Sequence, residues 1–155
     1  MTDLDRDILN EVEKVFCDVT RPSQFTIKDG DPASNEYERM WSSKTPQTLI
    51  FEDVFPENEY PYNELLPEGL AYYFPAITKI VLESEFNLET EEWCGIEFAV
   101  LILGKEPNYF FEFCSQEQRK VIGKLLKHLF ESRGMNIRDE VDRSAFERVI
   151  RKWSI

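Results

Sequence analysis

The sequence predicts a single all-α domain over residues 1–155. Apolar residues recur at three- and four-residue steps in several long segments, and helix-capping residues stand ahead of them. No repeat, low-complexity tract or Gly/Ser linker separates those segments, so the simplest architecture is about six helices with short connections. The alternative is an α+β fold with a short strand within 96–103.

Thr2 can cap a first helix with Asp3 and Asp5 in its opening turn, and Leu4, Ile8, Val12, Val15 and Val19 then mark one apolar face over residues 3–19. Arg21-Pro22 ends that helix. The segment 24–28, Gln-Phe-Thr-Ile-Lys, reads as short and extended, and Asp29-Gly30-Asp31-Pro32 as a turn. Ser34 is expected to cap a short helix through Trp41, and Thr45-Pro46 to open another around Leu49, Ile50 and Phe55, because proline suits the first helical position. The stretch 56–62 has two prolines and no periodic apolar face, and reads as an ordered surface loop.

The central helix starts at Pro67 and runs to Leu82, with Leu70, Tyr73, Phe74, Ile77, Ile80 and Val81 facing inward. Pro75 lies well inside it and removes the bond to the Ala71 carbonyl, so a kink or break is expected there. After the acidic loop 85–92, Trp93, Ile96, Val100, Leu101 and Leu103 suit a helix ending at Gly104, although 96–103 is apolar enough to read as a buried strand. The aromatic stretch 108–114 leads to Ser115-Gln116-Glu117-Gln118, a capping box that starts a helix at Gln116. That helix carries Val121, Ile122, Leu125, Leu126, Leu129 and Phe130 to Gly134, with Lys127, His128 and Arg133 near its end. A last helix over 138–153 has Val141, Ala145, Phe146, Val149, Ile150 and Trp153 on one face and Glu147 four residues before Arg151 as a surface pair.

The chain carries 18 Lys and Arg against 30 Asp and Glu, a net charge of -12. Such a surface repels phosphate backbones and anionic lipid, so neither a nucleic acid nor a membrane is an expected partner. The acidic start and the lack of a long apolar run predict a cytoplasmic protein. Cys17, Cys94 and Cys114 are widely spaced among apolar or aromatic neighbours, with no Cys-x-x-Cys, and are expected to be buried free thiols. Nucleophilic chemistry would need His128, the single histidine, as base, and that residue reads as part of a helix surface. Phosphate-binding glycine loops, dinucleotide fingerprints, zinc-protease motifs and calcium loops are all absent, so no cofactor, metal or catalytic residue is expected. Carboxylate pairs such as Glu52/Asp53, Glu57/Glu59 and Glu91/Glu92 could serve acid–base chemistry, but thirty acidic residues make such pairs inevitable.

Charge is unevenly distributed. Residues 1–115 hold 8 basic and 24 acidic side chains, a balance of -16, whereas 116–155 hold 10 and 6, a balance of +4. Between Glu52 and Glu92 eleven acidic residues face only Lys79 and are interleaved with Phe51, Phe55, Tyr60, Tyr62, Tyr72, Tyr73 and Phe74. Aromatic rings offer large, stiff contact area, and carboxylates steer and pair with basic groups. The plainer alternative is a solvated face above core aromatics. Glu52, Asp53, Glu57, Glu59, Tyr60, Tyr62, Glu91 and Glu92 are the residues expected to bind a basic protein partner.

Pro67, Glu68, Tyr72, Tyr73, Pro75 and Ala76, followed by Gln118, Ile122, Leu125, Leu126 and Leu129, carry a resemblance. The chain from about residue 35 to 132 resembles small bacterial helical proteins with a Tyr-Tyr-x-Pro-Ala helix and a later Gln-x-x-x-Ile-x-x-x-Leu helix. Proteins of that kind are similar in type to the immunity proteins of polymorphic toxins. The resemblance implies a non-enzymatic monomer or weak dimer that neutralises a cognate toxin domain by occluding it, and it supplies no catalytic residues. The alternative function is a regulatory or scaffolding domain that binds a host protein or self-associates through the C-terminal helix and Trp153.

Overall fold

A computed structural model describes residues 1–27 and 31–154. It is all-α: α1 (Asp3–Val15), α2 (Pro32–Ser43), α3 (Phe51–Val54), α4 (Pro67–Glu83), α5 (Cys94–Ile96), α6 (Tyr109–Phe113), α7 (Gln116–Arg133) and α8 (Glu140–Trp153). Short 3₁₀ turns occupy Pro61–Glu64 and Gly134–Asn136, and a π-helix, Glu97–Leu103, continues α5. The only extended pairings among the described residues are the isolated bridges Thr26 to Leu65 and Asn87 to Glu92. Segment 96–103 is therefore helical and not a strand. None of the described helices is long and apolar enough to cross a membrane.

The helix α4 forms the centre. Tyr73, Phe74, Ile77 and Val81 are fully buried, and α4 runs through Pro75 to Glu83 without a break. On one side α1 packs against α4 and α7, while α7 packs in turn on α8, and α8 on the π-helix. Phe74 joins these layers, with ring centroids 4.9 Å from Phe16, 5.7 Å from Phe98 and 5.5 Å from Phe110. Close approach of α7 to the end of α8 requires Gly123, where a Cβ would lie 2.6 Å from the Trp153 carbonyl oxygen.

Several boundaries differ from the sequence expectation. α1 stops at Val15, since the chain turns at 16–18 and thereby delivers Phe16 to the core. Asp31, not Ser34, caps α2, its side chain accepting from the Ala33 amide at 2.9 Å, with Pro32 in the first turn. Ser34 is buried inside that turn. Asp29 and Gly30 of the expected turn, and Lys28, lie outside the described residues. The helix expected after Thr45-Pro46 begins only at Phe51, where Asp53 reaches back to accept from the Ile50 amide at 3.0 Å.

The π-helix changes which residues face inward. Its wider turn buries Phe98, Ala99, Ile102 and Leu103 and leaves the expected core residue Leu101 exposed. Val141 is likewise exposed, because α8 begins only at Glu140 under the Asp139 cap and Val141 lies in its first turn. Glu147 pairs with Arg143 at 3.8 Å, and not with Arg151. Trp153 is buried and donates its indole N–H to the Leu103 carbonyl at 2.9 Å, so it ties α8 to the π-helix and is not a free contact residue. Cys94 and Cys114 are buried as expected, whereas Cys17 is exposed because it falls in the turn after α1.

Candidate functional site

Residues 50–60 form an aromatic ridge flanked by carboxylates. Four rings touch in series: Phe51 to Phe55 at 5.5 Å, Phe55 to Tyr62 at 6.0 Å, and Tyr62 to Tyr60 at 6.1 Å. The inner pair, Phe55 and Tyr62, is buried, while the outer pair is exposed, Phe51 at 41% and Tyr60 at 48%. Ile50 adds a further exposed apolar side chain. The ridge is thus an extension of the core that reaches solvent at both ends.

Local sequence explains how the ridge is held. Pro61 begins the 3₁₀ turn, and its carbonyl accepts the Trp41 indole N–H at 3.2 Å, which anchors the turn to α2. Tyr62 donates its hydroxyl to Glu97 Oε2 at 2.7 Å, anchoring it also to the π-helix. Burial, then that carboxylate, pushes the Tyr62 phenol well above its ordinary range, so the hydroxyl stays a donor. Tyr62, one of the expected partner-binding residues, is buried and supports the ridge from within, and 56–62 is not wholly a surface loop, since Pro61 is buried too. Asn58 takes a φ of 60°, a left-handed turn conformation that asparagine tolerates, and this turn carries Glu57 and Glu59 on either side.

Among the described residues, Glu52, Glu57 and Glu59 are exposed and form no ion pair. Asp53 is half-buried and paired with Lys44 at 3.3 Å, besides capping α3, and so has a structural role. The Tyr37 phenol faces the Glu59 and Glu64 carboxylates and is pushed upward by burial and then by those charges. Glu91 and Glu92 are exposed on a separate loop, where Asn87 Oδ1 accepts from the Glu89 and Thr90 amides and Glu91 meets Arg138 at 3.4 Å. No hydrogen bond, ion pair or ring contact among the described residues joins this loop to the ridge. The eight expected residues thus divide into a ridge, a support and a separate loop.

A second cluster was not legible as such. Asp5, 1% exposed, accepts from His128 Nε2 at 2.6 Å, from both terminal nitrogens of Arg133 at 3.1 and 2.9 Å, and from the Thr2 amide at 3.0 Å. Arg133 also donates to the Leu82 carbonyl at 3.0 Å. His128 is therefore not a free surface residue but a partner of a buried carboxylate. Burial pushes the Asp5 carboxyl up, and the Arg133 and His128 hydrogen bonds outweigh it, holding it well below the usual carboxylate range. Every acceptor position of Asp5 is used, and no serine, threonine or cysteine side chain hydrogen-bonds to the His128 ring among the described residues. The arrangement is a latch between α1, α4 and α7. Its sequence signal was an acidic residue in the opening turn of α1 and Lys127, His128 and Arg133 near the end of α7, with nothing to connect them.

The two buried thiols are far from reactive form. Burial pushes Cys94 up to about 11, partly offset by Ser84, and Cys114 up to about 12. No three His, Cys, Asp or Glu side chains among the described residues stand close enough to hold a metal ion. Comparison with protein-family models, curated proteins and solved structures gives no match.

Proposed function

We propose that this chain is a non-enzymatic protein-binding domain that receives a basic protein on the ridge formed by residues 50–60. The observation that carries this reading is the exposure of Phe51 and Tyr60 at the two ends of a ring series whose middle is buried, with Glu52, Glu57 and Glu59 beside them and free of ion pairs among the described residues. Rings held from below lose little conformational freedom on binding, and so give contact area at low entropic cost. Carboxylates around them steer a basic partner and pair with its arginines. No basic residue occurs between Ile50 and Tyr60 to oppose that field.

The concrete form of the proposal is an immunity protein that occludes a cytoplasmic toxin domain. This step rests on the resemblance of residues 65–83 and 114–131, while the ridge supports only a basic protein partner. Affinity capture with the full chain, followed by mass identification, tests both levels. A basic protein retained at low salt, released by moderate salt, and lost with Tyr60→Ala supports the ridge, and the captured protein being a toxin supports the immunity assignment. Retention indifferent to salt and to Tyr60 would refute the ridge.

A further inference from the structure

The positive balance of residues 116–155 is gathered on one face. α7 and α8 run antiparallel, since Gly123 meets Trp153 and the Phe130 and Phe146 rings lie 5.5 Å apart. α7 buries Ile122, Leu125 and Leu129 while α8 buries Phe146, Val149 and Trp153, so the two helices turn their opposite stripes to solvent on the same side of the molecule. Those stripes are Lys120, Lys124 and Lys127 on α7 and Ser144, Arg148 and Arg151 on α8, both at i, i+4, i+7 spacing and all exposed. Lys124 is held by Glu11 at 2.9 Å. Lys120, Lys127, Arg148 and Arg151 make no ion pair, side-chain hydrogen bond or ring contact among the described residues, in a chain with 30 carboxylates to 18 bases. Of the other described cations only Lys14 and Arg39, on α1 and α2, share that condition. Glu147 is taken up by Arg143 at 3.8 Å, and the exposed Glu117, Glu131 and Glu140 stand beyond the ends of the stripes. Like charges one helical turn apart repel, so this face is stabilised by carboxylates brought from outside.

We propose that the outward face of α7 and α8 docks an acidic peptide segment of another protein, with carboxylates about one helical turn apart. This surface is opposite in sign to the ridge of residues 50–60 and does not depend on it. At 1.5 Å per residue Lys120 and Lys127 are about 10 Å apart along α7, and packed helix axes lie about 8–10 Å apart, so the two stripes match a short segment with a few carboxylates. Arg148 and Arg151 present planar guanidinium forks, which receive a carboxylate through two parallel hydrogen bonds, while Lys120 and Lys127 act as point charges. A nucleic acid fits less well, because its phosphates would continue past the stripes onto Glu131 and Glu140 and toward the acidic body of residues 1–115. A second copy of the chain brings a net charge of -12 against a like-charged body, which opposes its approach.

The test titrates the full ¹⁵N-labelled chain with two synthetic alanine-based helical peptides that carry either glutamate or glutamine at the same positions, one turn apart. It is run at about 0.1 M salt, where a Debye length of about 10 Å screens the acidic body more than the contact itself. The glutamate peptide is expected to bind about ten- to a hundredfold more tightly, the combined worth of a few exposed ion pairs, and to shift the amides of Lys120, Lys127, Arg148 and Arg151. Lys127→Glu with Arg151→Glu removes that advantage, and Lys120→Gln with Arg148→Gln lowers it should the first variant misfold. Lys14→Glu with Arg39→Glu makes the same change in net charge away from the face and leaves the binding as it was. Equal affinity of the two peptides, no binding of either, or an equal loss with both reversed pairs overturns the docking face. A DNA oligonucleotide that displaces the glutamate peptide at lower concentration would assign the face to nucleic acid and overturn the proposal. Self-association in sedimentation, abolished by Lys127→Glu with Arg151→Glu, would assign it to a second copy and overturn it likewise.

Discussion

Replacing Asp5 by asparagine breaks the latch while keeping its shape. The new side-chain amide would place its own N–H donors against Arg133 and His128, which already donate there. Removing one partner of a buried ion pair costs about 3–5 kcal/mol, because the remaining charge is left without compensation. Arg133 and His128 keep side-chain exposures of 18% and 17%, so water can partly solvate them. The lower end, about 3 kcal/mol, is therefore expected, which for a domain of this size corresponds to roughly 6–12 °C in Tm. Denaturant unfolding followed by far-ultraviolet circular dichroism measures it. The pH dependence has a definite sign. The folded-state carboxyl lies below its unfolded value of about 3.9, so its contribution is complete above about pH 5 and is lost as pH falls toward the folded value. The asparagine variant has no such proton to take up, and the stability gap between the two proteins narrows on acidification from about pH 5 to about pH 2. A loss below about 1 kcal/mol at neutral pH, or a gap that stays constant through the acid range, would refute the latch.

Three further outcomes follow from the packing. Tyr62→Phe removes the hydroxyl donated to Glu97 and should cost about 1–2 kcal/mol in unfolding experiments while leaving the ring series, and hence partner capture, in place. A thiol reagent at neutral pH should modify Cys17 in the folded protein and reach Cys94 and Cys114 only after unfolding, as mass spectrometry of labelled peptides would show. Gly123→Ala should lower stability by about 1–3 kcal/mol in spite of the better helix propensity of alanine, because the added Cβ meets the backbone at Trp153, and a stabilised variant in a thermal melt would contradict that close approach.

The helices were legible where local chemistry defines them. Ser115 and Gln118 form the expected capping box of α7, Thr2 caps α1 as expected, and the apolar period of α4 marks Tyr73, Phe74, Ile77 and Val81 correctly. Longer-range features were not legible. Asp5 and His128 are separated by 123 positions, and each had an adequate local explanation that concealed their contact. The π-helix could not be read from periodicity set for ordinary helices, and that is why Leu101 was misassigned to the core and Phe98, Ala99 and Ile102 were missed. The acidic and aromatic composition of 52–92 was visible, but composition does not show that Tyr62 is buried against Glu97, or that Glu91 and Glu92 stand on another loop beside Arg138. What the fold adds is the ordering of Phe51, Phe55, Tyr62 and Tyr60 into one supported series.

The most direct test of the central claim compares two charge reversals on the captured partner: Glu57→Lys with Glu59→Lys on the ridge, and Glu91→Lys with Glu92→Lys on the separate loop. Association rates are measured by surface plasmon resonance across a range of salt, after circular dichroism shows both variants folded. The ridge variant should associate at least about tenfold more slowly at low salt and lose most of its salt dependence, with the loop variant close to wild type. Equal behaviour of the ridge variant and wild type, or a loss confined to the loop variant, would contradict the assignment of residues 50–60 as the binding face.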